Sequence, residues 1–172
     1  TALTGGTGSA PIITPDYGAI AAPDGSFTAT RLQLDRGAGT TSTDQSGLTR
    51  STVTSAARFV WVRTLSGTAT VQIGTNSTTA VQQSTVDTTW RRLGFAGGGS
   101  THRINLNGAA GSSRTADLLV WGASVEASVT FPSSLVLPPV GASQASTRGA
   151  DLVSASLALL GVAGNGACTV PW

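Results

Sequence analysis

Short segments rich in Thr, Val and Gly alternate with turn-forming residues along almost the whole chain of 172 residues. These residue types disfavour helix, and no segment carries an apolar stripe with a period of 3.6 residues. Turn signals such as PDG, RGAG and GGGS recur at intervals of roughly 8–12 residues. This spacing predicts an all-β chain with negligible helix, folded as an antiparallel β-sandwich or jelly roll. The predicted strands are residues 26–34, 48–53, 57–65, 68–74, 79–86, 89–96, 102–107, 117–127 and part of the tail from residue 152.

The chain carries few charges. Charged residues make up 10% of it, against about 25% in ordinary globular proteins. All ten basic residues are Arg, they are scattered, and the formal net charge is only +2. A nucleic-acid surface is therefore not expected, because such surfaces concentrate basic residues on one face. The uncharged tail, 152–172, alternates apolar with small residues, which predicts a half-buried strand and no membrane span.

Most residue types that common catalytic motifs require are missing. The chain has no Lys for a phosphate-binding loop, a single His (His102) and no GxSxG nucleophile elbow. A single Cys, Cys168, excludes an internal disulfide and any site built from several Cys. Paired carboxylates for glycoside hydrolysis stay open, although most Asp residues occupy turn positions. The sequence predicts a protein that is not an enzyme and needs no cofactor, with a structural calcium ion as an alternative.

The segment 57–65 is apolar on both faces. With a period of two residues, Val60 and Val62 share one face of this strand, and Phe59 and Trp61 share the other. A sandwich strand usually hides one face only. The second face therefore needs a cover, which could be a loop, a neighbouring subunit or a ligand.

The segment DLLVWGASVEA, residues 117–127, has one face that is apolar throughout. Leu119 and Trp121 lie on that face, while Glu126 ends the opposite face. The pattern predicts a strand that is buried on one side and emerges into water on the other. It also predicts that Trp121 packs in the core.

Aromatic rings with Arg neighbours are the candidates for a binding site. Sugars bind by stacking their apolar faces on flat rings, while polar side chains supply hydrogen bonds. The candidate glycan-binding residues are Trp61 with Arg63, Trp90 with Arg92, and Tyr17. Core packing is the alternative for each Trp, and it is least supported for Trp61, because the opposite face of that strand already supplies core residues.

Five short motifs follow one another along the chain. They are APDGSFTATRL at 22–32, RFVWVR at 58–63, TTWRRL at 88–93, LLVWGASVE at 118–126 and TRGAD at 147–151. In this order they resemble the pattern aPDGt.tA..l, fSvwvK, tWqR, l.iWGaQlE and tRaAD. That pattern is typical of the jelly-roll modules, related to carbohydrate-binding modules, that recur in phage tail, fibre and spike proteins.

The chain departs from this pattern at two places. Ser124 stands where the family has Gln, and FPSS at 131–134 replaces the family's YIPT element. Any role that the family's Tyr has is therefore not carried over. The resemblance implies three regions: an N-terminal extension or linker at 1–21, a concanavalin-like jelly-roll module at 22–160, and a C-terminal tail at 161–172 that reads like the start of a further segment.

At the close of the module, the resemblance marks Trp121, Glu126, Arg148 and Asp151 as a structural closing motif. The Pro-rich segment between its two halves, 127–147, must return across the sandwich. We expect Glu126, Arg148 or both to anchor this crossing by a hydrogen bond to the backbone or by an opposite charge.

The resemblance implies a non-catalytic virion protein of a tail, fibre or spike, assembled in the bacterial cytoplasm. Its expected partners are other virion proteins, further copies of itself, as in a trimer, and a host surface polysaccharide. One alternative is a purely structural or decorating subunit that joins virion parts without binding glycan. A depolymerase is the third reading. Exposure of Trp61 and Tyr17 in one groove would favour glycan binding, and burial of both in a subunit interface would favour the structural role.

Overall fold

The computed structural model describes residues 1–51, 56–75, 81–96 and 99–127, and these form ten strands and one short 3₁₀ turn. All of them lie in one compact unit, Thr1–Leu135. No helix in these ranges is long or apolar enough to cross a membrane. The elements are β1 Ala2–Gly5, β2 Ile12–Thr14, β3 Thr30–Asp35, β4 Gln45–Ser51, β5 Ala56–Thr64, β6 Ala69–Gly74, β7 Val81–Val86, β8 Arg91–Ala96, β9 Thr101–Asn107, the 3₁₀ turn Gly108–Ala110 and β10 Thr115–Ala127.

The strands form two five-stranded sheets in which the paired strands are antiparallel. Sheet I has the order β1-β4-β9-β6-β7, and sheet II has the order β2-β3-β10-β5-β8. Strands β3 and β4 are neighbours in sequence but lie in different sheets, so the chain crosses between the two layers. The predicted all-β jelly-roll sandwich is confirmed.

The main core lies between the two sheets. Fully buried members are Leu32 and Leu118 from sheet II and Val71 and Leu106 from sheet I. Val62 joins them and has no exposed surface, as the two-residue period of β5 predicts. The sequence therefore assigned the inward face of β5 correctly.

The first residues of the chain are part of the sheets. Strand β1 pairs with β4 at the edge of sheet I, and β2 pairs with β3 at the edge of sheet II. The predicted extension 1–21 therefore contains two edge strands, and the boundary at residue 22 separates strands that pair with each other. Both strands are too short to show a two-residue period, which is why the pattern did not reveal them. The predicted tail, 161–172, lies outside the described residues.

The loop between β2 and β3 covers part of the outer face of sheet II. A second cluster of buried residues, Ala22, Ala29 and Leu119, lies beneath it, and Tyr17 is among the side chains packed against this cluster. We call these residues and those packed against them the outer cluster. The backbone N–H of Tyr17 donates to the Ala29 carbonyl oxygen at 2.7 Å. The loop covers Leu119 on the outer face of β10, whereas Phe59 and Trp61 of β5 are not part of this cluster.

Strand β10 changes register at Gly122. This residue has a φ of 59°, and the pairing with β5 shifts between Trp121 and Ser124. Such a bulge with a left-handed Gly moves the following side chains to the other face. Ala123 accordingly lines the end of the main core with Val120, although simple alternation would place Ala123 on the face of Trp121.

Trp121 does pack against a hydrophobic cluster, but this is the outer cluster and not the core between the sheets. Trp121 lies on the outer face of sheet II, is partly exposed and packs against the outer cluster. The face it shares with Leu119 is apolar because a loop covers it, and not because it faces the other sheet. The inward face of β10 is the one that carries Leu118.

Candidate functional site

The outer face of sheet II carries a row of three large side chains on adjacent strands. Trp61 of β5 is paired with Trp121 of β10 on one side and with Arg92 of β8 on the other. Directly paired residues of antiparallel strands point to the same face, with Cβ atoms about 4.5–5.5 Å apart. The row therefore forms a continuous strip of aromatic and guanidinium surface.

Trp61 differs from the other Trp residues of the described ranges in what surrounds it. It is partly exposed, and it belongs neither to the main core nor to the outer cluster. Trp90 and Trp121, in contrast, both pack against the outer cluster. Among the Trp residues that the structure describes on this sheet, Trp61 is thus the one whose ring packs in neither hydrophobic cluster.

Two indole N–H groups hold the covering loop in place. Trp90 Nε1 donates to the Ala21 carbonyl oxygen at 2.9 Å. Trp121 Nε1 donates to Thr28 Oγ1 at 3.2 Å. Because both indole donors are occupied inside the chain, Trp90 and Trp121 act here as anchors of the loop. The sequence did not distinguish this role from ligand stacking.

Next to Trp61 on the same strand face, Phe59 forms a buried base, with 3% of its surface exposed. The guanidinium carbon of Arg92 lies 4.9 Å from the centre of the Phe59 ring, within the range of a cation–π contact. On the paired strand, Gly94 leaves the space that the ring fills, since a Cβ there would lie 2.6 Å from a Phe59 ring carbon. These contacts fix Arg92 at the end of the row.

Arg92 also lies near a carboxylate. Its Nη2 is 3.6 Å from Glu126 Oε1, and both side chains are mostly buried. Glu126 is therefore held toward the sheet at the end of β10, while its anchoring of the crossing stays a prediction. The other residues of that motif, Arg148 and Asp151, lie outside the described residues, and so does the crossing 128–147.

Arg31 and Asp117 form a second ion pair on the same face. Arg31 Nε and Nη2 donate to the two carboxylate oxygens of Asp117 at 2.9 and 2.7 Å, which is the bidentate geometry that guanidinium favours. This pairing raises the pKa of Arg31. The Arg31 guanidinium also lies 5.3 Å from the centre of the Tyr17 ring. Tyr17, a predicted binding residue, is thus in contact with a neutralised cation.

Arg63 lies beside Trp61 on the same strand face. Its cross-strand neighbour on β10 is Leu119, and its Nε donates to the Thr64 carbonyl oxygen at 3.1 Å. Within the described residues, no carboxylate lies within ion-pair distance of Arg63. Trp61 and Arg63, which the sequence predicted as a pair, lie side by side on the outer face of sheet II.

A separate polar cluster joins the N-terminal segment to the loop before β4. The Asp44 carboxylate accepts hydrogen bonds from the backbone N–H groups and the hydroxyls of Thr7 and Thr41. These four donors hold the pKa of Asp44 well below its usual range. Nowhere in the described ranges do three His, Cys, Asp or Glu side chains come together as a metal site would require. The structural calcium ion stays a prediction from the sequence.

At one end of the main core, His102 lines an apolar cavity of about 220 Å³ together with Ile104 and Val120. Burial and, to a smaller extent, the neighbouring guanidinium groups of Arg58 and Arg50 together lower the pKa of His102 to about 4. The ring is therefore neutral at physiological pH. No Asp or Glu lines this cavity, so the described residues supply His102 with no orienting carboxylate of the kind a catalytic triad uses.

No family model matches the sequence, and no curated protein matches it in sequence comparison. Similar solved structures include the family 11 carbohydrate-binding module of the cellulosomal cellulase Lic26A-Cel5E of Clostridium thermocellum. That similarity has 10% identity and a TM-score of 0.46, and it covers 74% of this chain and 86% of the other. A structure described as "CBM4 structure and function" is similar with 12% identity and a TM-score of 0.37, covering 73% of this chain and 94% of the other. Both similarities are low, so residue roles follow from this chain's own geometry.

Proposed function

We propose that this chain is a non-catalytic glycan-binding module whose ligand lies on the outer face of sheet II. Trp61 is the stacking platform in this proposal. One observation carries it: Trp61 is the partly exposed Trp of this face that packs in neither hydrophobic cluster. Flat aromatic surface beside fixed polar groups is what binding of a sugar ring needs. Arg63 and Arg92, on either side of Trp61, supply the polar groups.

The proposal assigns different tasks to the predicted binding residues. Trp90 and Tyr17 pack against the outer cluster and support the loop that borders the site. Trp121 extends the aromatic row next to Trp61 while its N–H holds the loop. Trp61, Arg63 and Arg92 make the contacts with the sugar. This division predicts that the supporting residues affect stability and that Trp61 affects binding.

We propose further that the chain is a virion protein of a tail, fibre or spike, assembled in the bacterial cytoplasm and active in adsorption to a host surface polysaccharide. The five ordered motifs described above support this role. The low charge content and the apolar edge of sheet II support assembly with other virion proteins or as a homotrimer.

Substitution of Trp61 by Ala tests the binding role. Binding of the purified chain to an array of bacterial surface polysaccharides should be lost, while the thermal midpoint stays within a few degrees of wild type. Trp90→Ala is the matched control: it removes a hydrogen bond and packing in the outer cluster, so it should lower the midpoint clearly. If Trp61→Ala unfolds or loses about 3–5 kcal/mol, as truncation of a core Trp does, Trp61 is a core residue and the proposal is wrong.

A purely structural subunit is the second candidate, and one observation favours it. The edge strand β2 exposes 61% of Ile12 and 45% of Ile13, and exposed apolar edge strands are sites of association between chains. Sedimentation of the wild type and of an Ile12→Ser, Ile13→Ser double variant would distinguish the candidates. Dissociation of an oligomer in the variant, together with no binding on the array by the wild type, would favour the structural role.

A further inference from the structure

The three Arg side chains on the outer face of sheet II differ in their partners. Arg31 makes a bidentate ion pair with Asp117, and Arg92 lies 3.6 Å from Glu126. Arg63 has no carboxylate within ion-pair distance among the described residues. As far as the described residues go, this face therefore presents one uncompensated positive charge, and that charge is located beside Trp61.

Resting on the function proposed above, we infer that the glycan bound by this face is acidic and carries a carboxylate, as uronic-acid residues do. Arg63 binds that carboxylate, while the same sugar ring or its neighbour stacks on Trp61. Residues i and i+2 of a strand are about 7 Å apart and share one face. A carboxylate that projects from a stacked ring toward Arg63 lies within reach of its long side chain.

The state of the Arg63 side chain favours an anion over a neutral hydroxyl. Its Nε already donates to the Thr64 carbonyl oxygen, which directs the guanidinium along the sheet and leaves the terminal N–H groups for a ligand. Guanidinium binds carboxylates through two parallel hydrogen bonds, and such charge-assisted bonds are roughly twice as strong as neutral ones. The partner should therefore be planar and negatively charged.

Ion pairing on the neighbouring strands strengthens this preference. Both carboxylate oxygens of Asp117 accept hydrogen bonds from Arg31, and Glu126 lies toward Arg92, so these two carboxylates are directed to other cations. They do not compete for Arg63. An acidic sugar at this position meets a cation and an aromatic ring without a facing acid.

The experiment measures the affinity of the intact chain for polygalacturonate, alginate and hyaluronate, each compared with its own carboxyl-reduced form and with neutral glucans. Isothermal titration calorimetry at low and high NaCl is the readout. We expect at least one acidic polymer to bind about tenfold or more tightly than its reduced form, with a preference that weakens as salt increases. Arg63→Gln should abolish the preference, whereas Trp61→Ala should abolish binding of both forms. Arg114→Gln, an equal loss of charge at an exposed residue before β10, is the control and should leave the preference unchanged.

Each result has a separate meaning. Equal affinity for acidic and reduced polymers, or binding of neutral glucans alone through Trp61, overturns the inference and leaves the glycan-binding function in place. A preference for acid that Arg63→Gln retains also overturns it. Failure to bind any polymer in this panel or on the polysaccharide array overturns the proposed function itself.

Discussion

Mild acid should destabilise this protein through one residue, His102. It is the single His of the chain, it lines the cavity at the end of the main core, and it is paired across strands with Arg50. The fully buried Arg58 also acts on it. Burial and these two cations disfavour the protonated ring, so the pKa of His102 is about 4 in the folded chain.

The sign and size of the effect follow from the two pKa values. An unfolded His has a pKa of about 6.5, so between pH 6.5 and pH 4 the unfolded chain binds a proton that the folded chain does not. The free energy of unfolding therefore decreases as the pH falls through this window, and it is fully restored above it. Since one pKa unit corresponds to about 1.4 kcal/mol, the loss is at most about 3 kcal/mol, and partial exposure of the ring reduces it.

Urea denaturation followed by Trp fluorescence at several pH values from 7.5 to 4.5 measures this loss. The carboxylates with a lowered pKa, such as Asp44 and Asp87, add their own loss only below about pH 4, so they do not overlap with it. His102→Gln, which cannot titrate, should have nearly constant stability across the window. If wild type and His102→Gln lose stability in parallel, or if direct NMR titration of His102 gives a pKa near 6.5, this account of the cavity is refuted.

Three further substitutions test contacts of the outer sheet face and of the separate Asp44 cluster. Leu119→Ala should lower the free energy of unfolding by about 2–5 kcal/mol. Leu118→Ala on the opposite face should lower it by as much, because neither side chain has exposed surface. A loss below about 0.5 kcal/mol for Leu119→Ala in urea denaturation would mean that the loop does not cover the sheet. Gly94→Ala should cost about 1–3 kcal/mol by overpacking, since the new methyl group would collide with the Phe59 ring; an unchanged thermal midpoint would contradict this. Asp44→Asn should destabilise the chain at pH 7 and reduce the loss of stability that wild type undergoes as the pH falls below about 4; equal acid sensitivity of both proteins would exclude Asp44 as its source.

Much of the fold could be predicted from local pattern alone. Strands β3 to β10 each lie within or close to a predicted segment, because turn residues mark their ends and a two-residue period marks their faces. Strands β1 and β2 were missed because three or four residues cannot show a period. They are held by pairing with distant strands, β4 and β3, and such pairing leaves no local signal.

Alternation placed Trp121 on the face of Leu119, but it could not show that this face lies outside the sandwich, because its apolar character comes from the covering loop. It also failed for the residues after Trp121, because the bulge at Gly122 reverses their facing. The Gly within an apolar strand was the available signal, since such a Gly often marks a bulge. The cover supplied by a loop distant in sequence has no comparable signature.

In the candidate site, too, some residue positions could be predicted from local sequence, and others depend on pairing between distant strands. Trp61 and Arg63 are two residues apart, so their common face follows from the strand period alone. The ion pair between Arg31 and Asp117 depends on the register of strands that are distant in sequence, and sequence alone does not fix that register.

The ion pairs and the loop together explain how one sheet face can be stable and also carry the proposed binding site. Where the loop covers the face, Leu119 is fully buried and Trp90 and Trp121 are tied to the backbone and side chains of the loop. Trp61 lies one outward-facing residue along β5 from the partner of Leu119, at the end of the covered area. On the other side of Trp61, Phe59 is buried beneath Arg92. Trp61 is therefore bordered by rigid neighbours that do not need its ring for packing. A ring held in this way loses little conformational freedom when a sugar stacks on it, and such preorganisation favours binding. In the proposed function, Arg63, which pairs with no described carboxylate, then favours an acidic sugar on that surface.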